Sequence, residues 1–409
     1  MISYIIWNGG PEILSFGSFS LRWYGLLFAL GFLISQQILY YIYRQEGKPE
    51  KDVDTLTVYM VVATILGARL GHVIFYQPEL FWNDPLSIIL PFEFSPFKFT
   101  GLQGLASHGG AFGILFALWL YSNYRIHFSK ADVALEGQVG HEGKVNKKIR
   151  RGIFVEKIKK EGQSYMQVLD RIVILVALTG ALIRFGNFFN SEIIGKPSDN
   201  NPFSVVFINR VTEGLLDYRV QSNPAESIKV EKNDELPAGA HGRVPLNMYV
   251  FFKQGTSTEQ ATQFLNGDMK YFLSYFSEFI DEPGTEPLKY QIITETSGTL
   301  AARVSTFGIA RHPAQLYESI SCVILFIVLF LMWKKDKEKL PPGRIFGVFM
   351  IVLWSLRFAY EFLKENQVSF EDQLPINMGQ ILSIPLFIAG ILILIWSYRN
   401  KSANNSSPS

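Results

Sequence analysis

Seven stretches of this chain are apolar enough and long enough to cross a hydrocarbon core about 30 Å thick. They fall at about 20–42, 55–76, 106–124, 169–189, 314–333, 345–363 and 378–398. Inside lipid a backbone has no water to bond, so continuous stretches of this length become helices. The expected fold class is an all-α polytopic membrane protein with seven transmembrane helices. The third stretch is the shortest, its strongly apolar part running only from Ala111 to Tyr121. The first begins near Leu21, has no basic segment before it and continues past Tyr40, so it is expected to stay in place. The hydrophobic fraction of 48% would also suit a large soluble domain, and only its distribution decides the class.

Charge then orients the spans. Residues 144–160 hold eight Lys/Arg against one Glu, and Lys334, Lys335, Lys337, Lys339 and Arg344 crowd the fifth interspan loop. Arg44, Lys48 and Lys51 follow the first span, and Arg399 and Lys401 follow the seventh. With seven spans these four basic groups share one side, which the positive-inside rule makes cytoplasmic. The N-terminus is then outside and the C-terminus, with the tail 399–409, inside. The segment 196–300 also falls outside and carries nine Lys/Arg against fourteen Asp/Glu.

The expected organisation is a membrane core of four spans in 1–195, a head domain in 196–310 and three spans in 311–398. Within the core, 77–105 reads as an outer-face arm from Pro78, Pro85, Pro91, Pro96 and Trp82. Residues 136–165 read as a cytoplasmic insertion whose charges are solvated or touch anionic lipid. The head reads as a small α+β unit. Ser204–Asn209, Met248–Lys253 and Tyr290–Thr296 have strand composition, and Thr258–Ile280 reads as an amphipathic helix interrupted at Asn266-Gly267. No internal repeat is evident, which weighs against an inverted-repeat transporter. Cys322, the single cysteine, lies mid-span and reads as a small packing residue.

Polar groups recur where spans meet the outer face. Arg184-Phe185-Gly186-Asn187-Phe188-Phe189-Asn190-Ser191-Glu192-Ile193-Ile194-Gly195 closes the fourth span. An ionisable side chain at membrane depth costs roughly 2.5–3.5 kcal/mol on insertion scales, so it is retained for a ligand or a partner. Helix-to-helix bonding by Asn and Arg is the rival reading. Arg22-Trp23-Tyr24-Gly25 opens the first span, where an interfacial anchor is the plain alternative. Ser107-His108-Gly109-Gly110 opens the third; His108 can take a proton near neutral pH, or simply bond locally. Arg357 and Glu361 are i,i+4 on the sixth span and suit a structural ion pair or a held arginine. Arg311 to Glu318 starts the fifth, and Arg69 with His72 lies in the second, where snorkelling or packing competes.

Arginine presents a planar fork that matches phosphate oxygens, so the economical ligand is an anionic lipid headgroup. The six histidines are scattered without metal-ligand spacing, and no nucleotide-type phosphate loop or nucleic-acid signature is present. No cofactor is demanded. A carrier for an anionic solute would spread arginines through the membrane depth, whereas these gather at one face. A lipid-binding scaffold using 196–300 as its interaction module is the second alternative.

The string Arg184 to Gly195 resembles the signature of the bacterial prolipoprotein diacylglyceryl transferase family, G-R-x-G-N-F-x-N-x-E-x-x-G. L-R-W-Y-G-L, G-A-R-L-G, S-H-G-G, R-H-P-A-Q-L-Y-E, R-F-A-Y-E-F and N-M-G-Q-I-L-S-I-P follow the family's order across all the spans. Ile183 stands where the family usually has glycine, and His72 where it often has an aromatic residue. The resemblance implies transfer of the diacylglyceryl group of phosphatidylglycerol to the lipobox cysteine of a prolipoprotein, in the bacterial inner membrane. It implies catalytic roles for Tyr24, His108, Arg184 and Arg357, and substrate-binding roles for Arg69, Asn187, Asn190, Glu192, Gly195 and Glu361, with Arg184 serving both. On this reading Arg184 and Arg357 grip the lipid phosphate and His108 assists proton removal from the thiol. The partners it implies are phosphatidylglycerol, lipobox peptides and membrane lipid.

Overall fold

The computed structural model describes residues 4–16, 19–90, 92–94, 97–99, 104, 106–133, 148–158, 160–199, 201–217, 223–295, 298–365 and 375–405. The chain opens with strand β1 (Ile5–Trp7) and the hairpin of β2 (Glu12–Phe16) and β3 (Phe19–Arg22), then enters helix α1 (Trp23–Gln45). Next come α2 (Glu50–Tyr76), the one-turn α3 (Leu80–Asn83), β4 (Phe92–Phe94), β5 (Phe97–Phe99) and α4 (Ser107–Asn123). A hairpin of β6 (Tyr124–Val133) and β7 (Lys148–Lys157) leads to α5 (Tyr165–Phe189). Then follow β8 (Val205–Phe207), α6 (Asn209–Asp217), β9 (Ala225–Lys232), β10 (Arg243–Phe252), α7 (Thr258–Phe264) and α8 (Lys270–Tyr275). Strands β11 (Lys289–Thr294) and β12 (Leu300–Arg311) precede α9 (Ala314–Asp336), α10 (Arg344–Tyr360) and α11 (Met378–Asn405).

Among the described residues six helices are long and apolar enough to cross a membrane: α1, α2, α5, α9, α10 and α11, with α9 extended by a turn to Lys339. The expected third span is α4, whose 17 residues fall short of that length. At 1.5 Å per residue it measures about 26 Å. The expected seven helices are therefore six of full length and one short. The spans are helical as expected, while the connecting segments carry all the strands.

Contacts divide the chain into two compact units. The first comprises 1–31, 177–327 and 350–389; the second comprises 32–176, 328–349 and 390–409.

The first unit is built on a six-stranded sheet in the order β1-β8-β12-β10-β9, with β11 also on β12. The long β12 makes this possible. It pairs antiparallel with β10 along one edge, and its other edge serves β11 first and β8 after it. Alternate β10 and β12 residues (Leu246, Met248, Val250, Ala302, Val304) are buried in one core with Val206, Leu265, Met269 and Leu273. The three strands expected within 204–296 are all present, with Thr296 outside the described residues. The expected helix Thr258–Ile280 starts with a capping box of Ser257 and Gln260. Asn266-Gly267 falls in a π-helical turn, Leu265–Met269, and helix ends at Tyr275 rather than Ile280.

In the second unit α2 packs on α4 through glycines. A Cβ on Gly109 would lie 2.2 Å from the Gly67 carbonyl oxygen, and one on Gly67 would lie 2.5 Å from that of Gly109. Gly67, Gly71, Gly109 and Gly113 thus form two small-xxx-small ridges that let the backbones touch. A buried polar knot ties other elements: Glu46 accepts from Arg171 (2.7 Å) and from the Trp333 indole (2.7 Å). Asp170 accepts the backbone N–H groups of Gly343 (2.7 Å) and Phe346 (2.8 Å), capping the start of α10. The hairpin β6–β7 accounts for part of the expected insertion; its residues 136–147 lie outside the described residues, as do parts of the arm between 91 and 105.

Candidate active site

The end of α5 turns abruptly, and the sequence makes it do so. Gly186 permits a close approach: a Cβ there would lie 3.0 Å from both Cα and Cδ2 of Tyr24, so Tyr24 packs directly on the signature turn. After Asn190 the chain reverses through two left-handed residues, Ser191 (φ 50°) and Ile193 (φ 56°). A β-branched residue in that region is a true outlier and costs on the order of 1–3 kcal/mol. The two flank Glu192.

Two amides hold the Glu192 carboxylate and a third holds its backbone carbonyl. Asn187 Nδ2 donates to Glu192 Oε2 at 3.3 Å, Asn190 Nδ2 donates to Oε1 at 3.4 Å, and Gln315 Nε2 donates to the Glu192 carbonyl at 2.5 Å. The opposite ends of these amides are idle: Asn187 Oδ1, Asn190 Oδ1 and Gln315 Oε1 are shielded from solvent and have no donor. Buried carbonyl oxygens without a donor among the described residues are uncommon. Gly195 is wedged between segments: its N–H donates to the His312 carbonyl at 2.9 Å, and a Cβ would meet that oxygen at 2.7 Å and the Leu363 oxygen at 2.9 Å. Its glycine identity is thus explained by packing. Arg311 closes the same junction, donating to the carbonyls of Gly195 (3.2 Å) and Glu278 (2.9 Å) and pairing with Glu365 (2.8 Å).

Arg184 and Arg357 are joined by an alternating chain of charges. Arg184 Nε pairs with Glu318 Oε2 at 2.6 Å, and Lys364 Nζ bonds the other oxygen of Glu318. Lys364 also faces Glu361 (3.6 Å), which pairs with Arg357 (3.7 Å) and accepts from Asn377 Nδ2 at 3.3 Å. The middle members are nearly sealed, with Lys364, Glu361 and Glu318 exposing 7–12% of their side chains. The two ends stay open: the Arg184 side chain is 25% exposed and that of Arg357 34%. Three cations against two carboxylates leave one net positive charge, offered through two accessible guanidiniums. Arg184 spends only Nε on Glu318, so its paired terminal nitrogens remain free to fork onto an anion. Asn377 and Gln380 cap α11 reciprocally (2.9 and 3.1 Å), which fixes Asn377 beside Glu361.

His108 and Arg69 lie in the second unit. His108 is exposed in the first turn of α4, next to the Gly109 contact that sets this helix on α2. Arg69 is buried and donates to the backbone carbonyls of Ile88 (3.3 Å) and Ser87 (3.1 Å), so it holds the 85–88 turn.

Within the first unit, then, Tyr24, Arg184, Asn187, Asn190, Glu192, Gly195, Arg357 and Glu361 are linked by packing, hydrogen bonds and ion pairs. Lys364 and Gln315 are additions, and Glu318 changes from a motif letter into the bridge between two cations. Lys364 follows Glu361 by three positions, a helical spacing that would have flagged it as a partner.

The family model described as prolipoprotein diacylglyceryl transferase matches residues 11–137 and 149–396. Proteins named phosphatidylglycerol–prolipoprotein diacylglyceryl transferase are similar along their whole length. That of Bacteroides fragilis is 29% identical over 401 residues, covering 97% of each chain. That of Chloroherpeton thalassium is 29% identical, covering 99% of this chain and 98% of its own, and that of Tolumonas auensis is 28% identical, covering 97% and 99%. With its six full-length spans, the chain is a multi-pass membrane protein that belongs to the prolipoprotein diacylglyceryl transferase family.

Proposed function

We propose that this protein transfers the diacylglyceryl group of phosphatidylglycerol to the lipobox cysteine of prolipoproteins, the first step of bacterial lipoprotein maturation. The thiolate sulfur bonds the diacylglyceryl carbon while the carbon–oxygen bond to phosphate breaks. The bonding pair leaves on the phosphate oxygen, giving a thioether and glycerol phosphate. The observation that carries this reading is the charge chain from Arg184 to Arg357, net positive and open at both guanidinium ends. Negative charge grows on the phosphate as the bond breaks, and preorganised donors act most strongly where charge develops. Glu318 and Glu361 hold the cations in register and stop them repelling one another. Tyr24 packs on the signature turn at Gly186.

His108 takes the thiol proton, since thiolate is the nucleophile. Asn187, Asn190 and Glu192 bind substrate at the signature turn. All seven helices span, α4 included, in the inner membrane; the N-terminus and residues 196–310 face the periplasm, and the C-terminus faces the cytoplasm. The 311–398 core completes the site begun in 1–195.

The test mixes purified protein, phosphatidylglycerol and a lipobox peptide and measures glycerol phosphate. Release that requires both lipid and the cysteine is expected; no release rules out a transferase. Comparing pH–rate profiles of wild type and His108→Gln tests the base, because an unchanged profile with a modest loss removes that role.

A further inference from the structure

Beside the signature turn lies a second, polar cleft of about 500 Å³, within the range typical of ligand sites. Its walls are the segment entering β2, the end of β3, the residues after α5 and the helix α6, all in the first unit. Neither Arg184 nor Arg357 lines it, whereas Asn190 and Glu192 do. The cleft therefore borders the phosphate site without belonging to it.

Its charge is one-sided. Four carboxylates (Glu12, Glu192, Glu213 and Asp217) line it against two guanidiniums, Arg22 and Arg210. Both guanidiniums are taken: Arg22 pairs with Glu12 at 3.2 Å and Arg210 with Glu192 at 3.7 Å. Glu213 and Asp217 have no ion-pair partner among the described residues. Burial, and then the neighbouring Glu12 and Asp217, push the Glu213 carboxyl above its ordinary pKa. Asn190 adds a shielded Oδ1 with no donor, its amide nitrogen being held by Glu192. Four carboxylates against two paired guanidiniums leave the cleft net negative, and its polar walls are hostile to acyl chains.

We infer that this cleft seats the polypeptide flank of the protein substrate, favouring basic residues against Glu213 and Asp217 and a backbone N–H against Asn190 Oδ1. The inference rests on the transferase reading, which requires a second substrate beside the lipid. Lipid phosphate occupies the guanidinium side of the turn through Arg184 and Arg357, and polypeptide occupies the carboxylate side through Asn190 and Glu192. The signature turn is then the partition between two substrates of opposite charge.

The experiment uses full-length protein in neutral detergent micelles containing dilute phosphatidylglycerol. Two lipobox peptides are compared, identical except for a Lys pair or a Glu pair after the cysteine. Wild type is expected to show a kcat/KM about tenfold higher for the Lys peptide, the size usual for a favourable charge pair at a recognition surface. Glu213→Lys with Asp217→Lys is expected to invert the order, with KM for phosphatidylglycerol unchanged. Glu213→Gln with Asp217→Asn is expected to level the two peptides while keeping the wild-type melting temperature. Absence of a preference in wild type, or one that survives charge reversal, overturns the docking site. Peptide binding is followed in parallel by fluorescence anisotropy. Wild type that binds the Lys peptide preferentially but releases no glycerol phosphate keeps the docking site and sinks the transferase reading; no binding preference sinks the docking site alone.

Discussion

The decisive residue-scale feature is that Arg184 and Arg357 do not touch. They are held apart and in register by Glu318, Lys364 and Glu361, Arg184 pairing through Nε and Arg357 through one terminal nitrogen, and both guanidiniums stay partly exposed. Arg184→Lys preserves a cation for Glu318 but removes the two parallel donors. The expected result is correct folding with kcat reduced roughly 10- to 100-fold, as lost bidentate and oxyanion-type contacts usually cost. Turnover near wild type in the glycerol phosphate assay would refute the clamp. Strain supplies a second residue-scale case. Ile193 sits at φ 56°, where glycine is unstrained, whereas neighbouring Ile194 packs against the sheet core. Ile193→Gly should therefore be neutral or stabilising by about 1 kcal/mol, and Ile194→Gly destabilising by about 2 kcal/mol or more. If the strain aims Glu192, the more stable variant is also the slower one. Paired melting and activity measurements read both at once.

At the scale of elements, helices were legible because their cause is local. A long apolar run in lipid leaves the backbone one solution, and the spans stand within a few residues of the expected positions. The three expected strands and the break at Asn266-Gly267 were legible for the same reason. Glu318 bridging Arg184 and Lys364 was not, since those residues stand 134 and 46 positions away and no periodicity links them. Nor was β1, three residues whose partner β8 lies 200 positions on. The glycines of α2 and α4 form a helix contact that was not expected from the sequence. That assignment has a sharp consequence. Gly109→Ala drives a methyl to 2.2 Å from the Gly67 carbonyl, a backbone atom that cannot swing away. Gly110→Ala next to it meets nothing nearer than 3.6 Å. Melting in detergent should show Gly109→Ala destabilised by about 3 kcal/mol, at the upper end for overpacking, and Gly110→Ala close to wild type. Equal behaviour of the two would remove the glycine contact as the reason for the motif.

For the whole molecule the number of spans is a question of parity, and α4 decides it. With α4 across the membrane there are seven crossings, the basic groups after α1, between β6 and Lys160, between α9 and α10, and after α11 share one face, and residues 196–300 take the other. Without it there are six, and Lys51 and residues 196–300 fall on the same face, which would place a basic loop and an acidic segment together. Charge favours seven, because translocating a Lys/Arg-rich short loop is disfavoured. Length alone leaves α4 marginal at 17 residues, but its close glycine contact with α2 lets the pair cross as one packed body. Cys322 is the only cysteine, so Cys322→Ser gives a clean background for single-thiol labelling. In cells whose outer membrane is permeabilised, a membrane-impermeant maleimide should label Glu235→Cys and leave Lys51→Cys untouched until the inner membrane is opened. Labelling of both from outside would cut the spans to six and put residues 196–300 on the same face as the basic loop at Lys51.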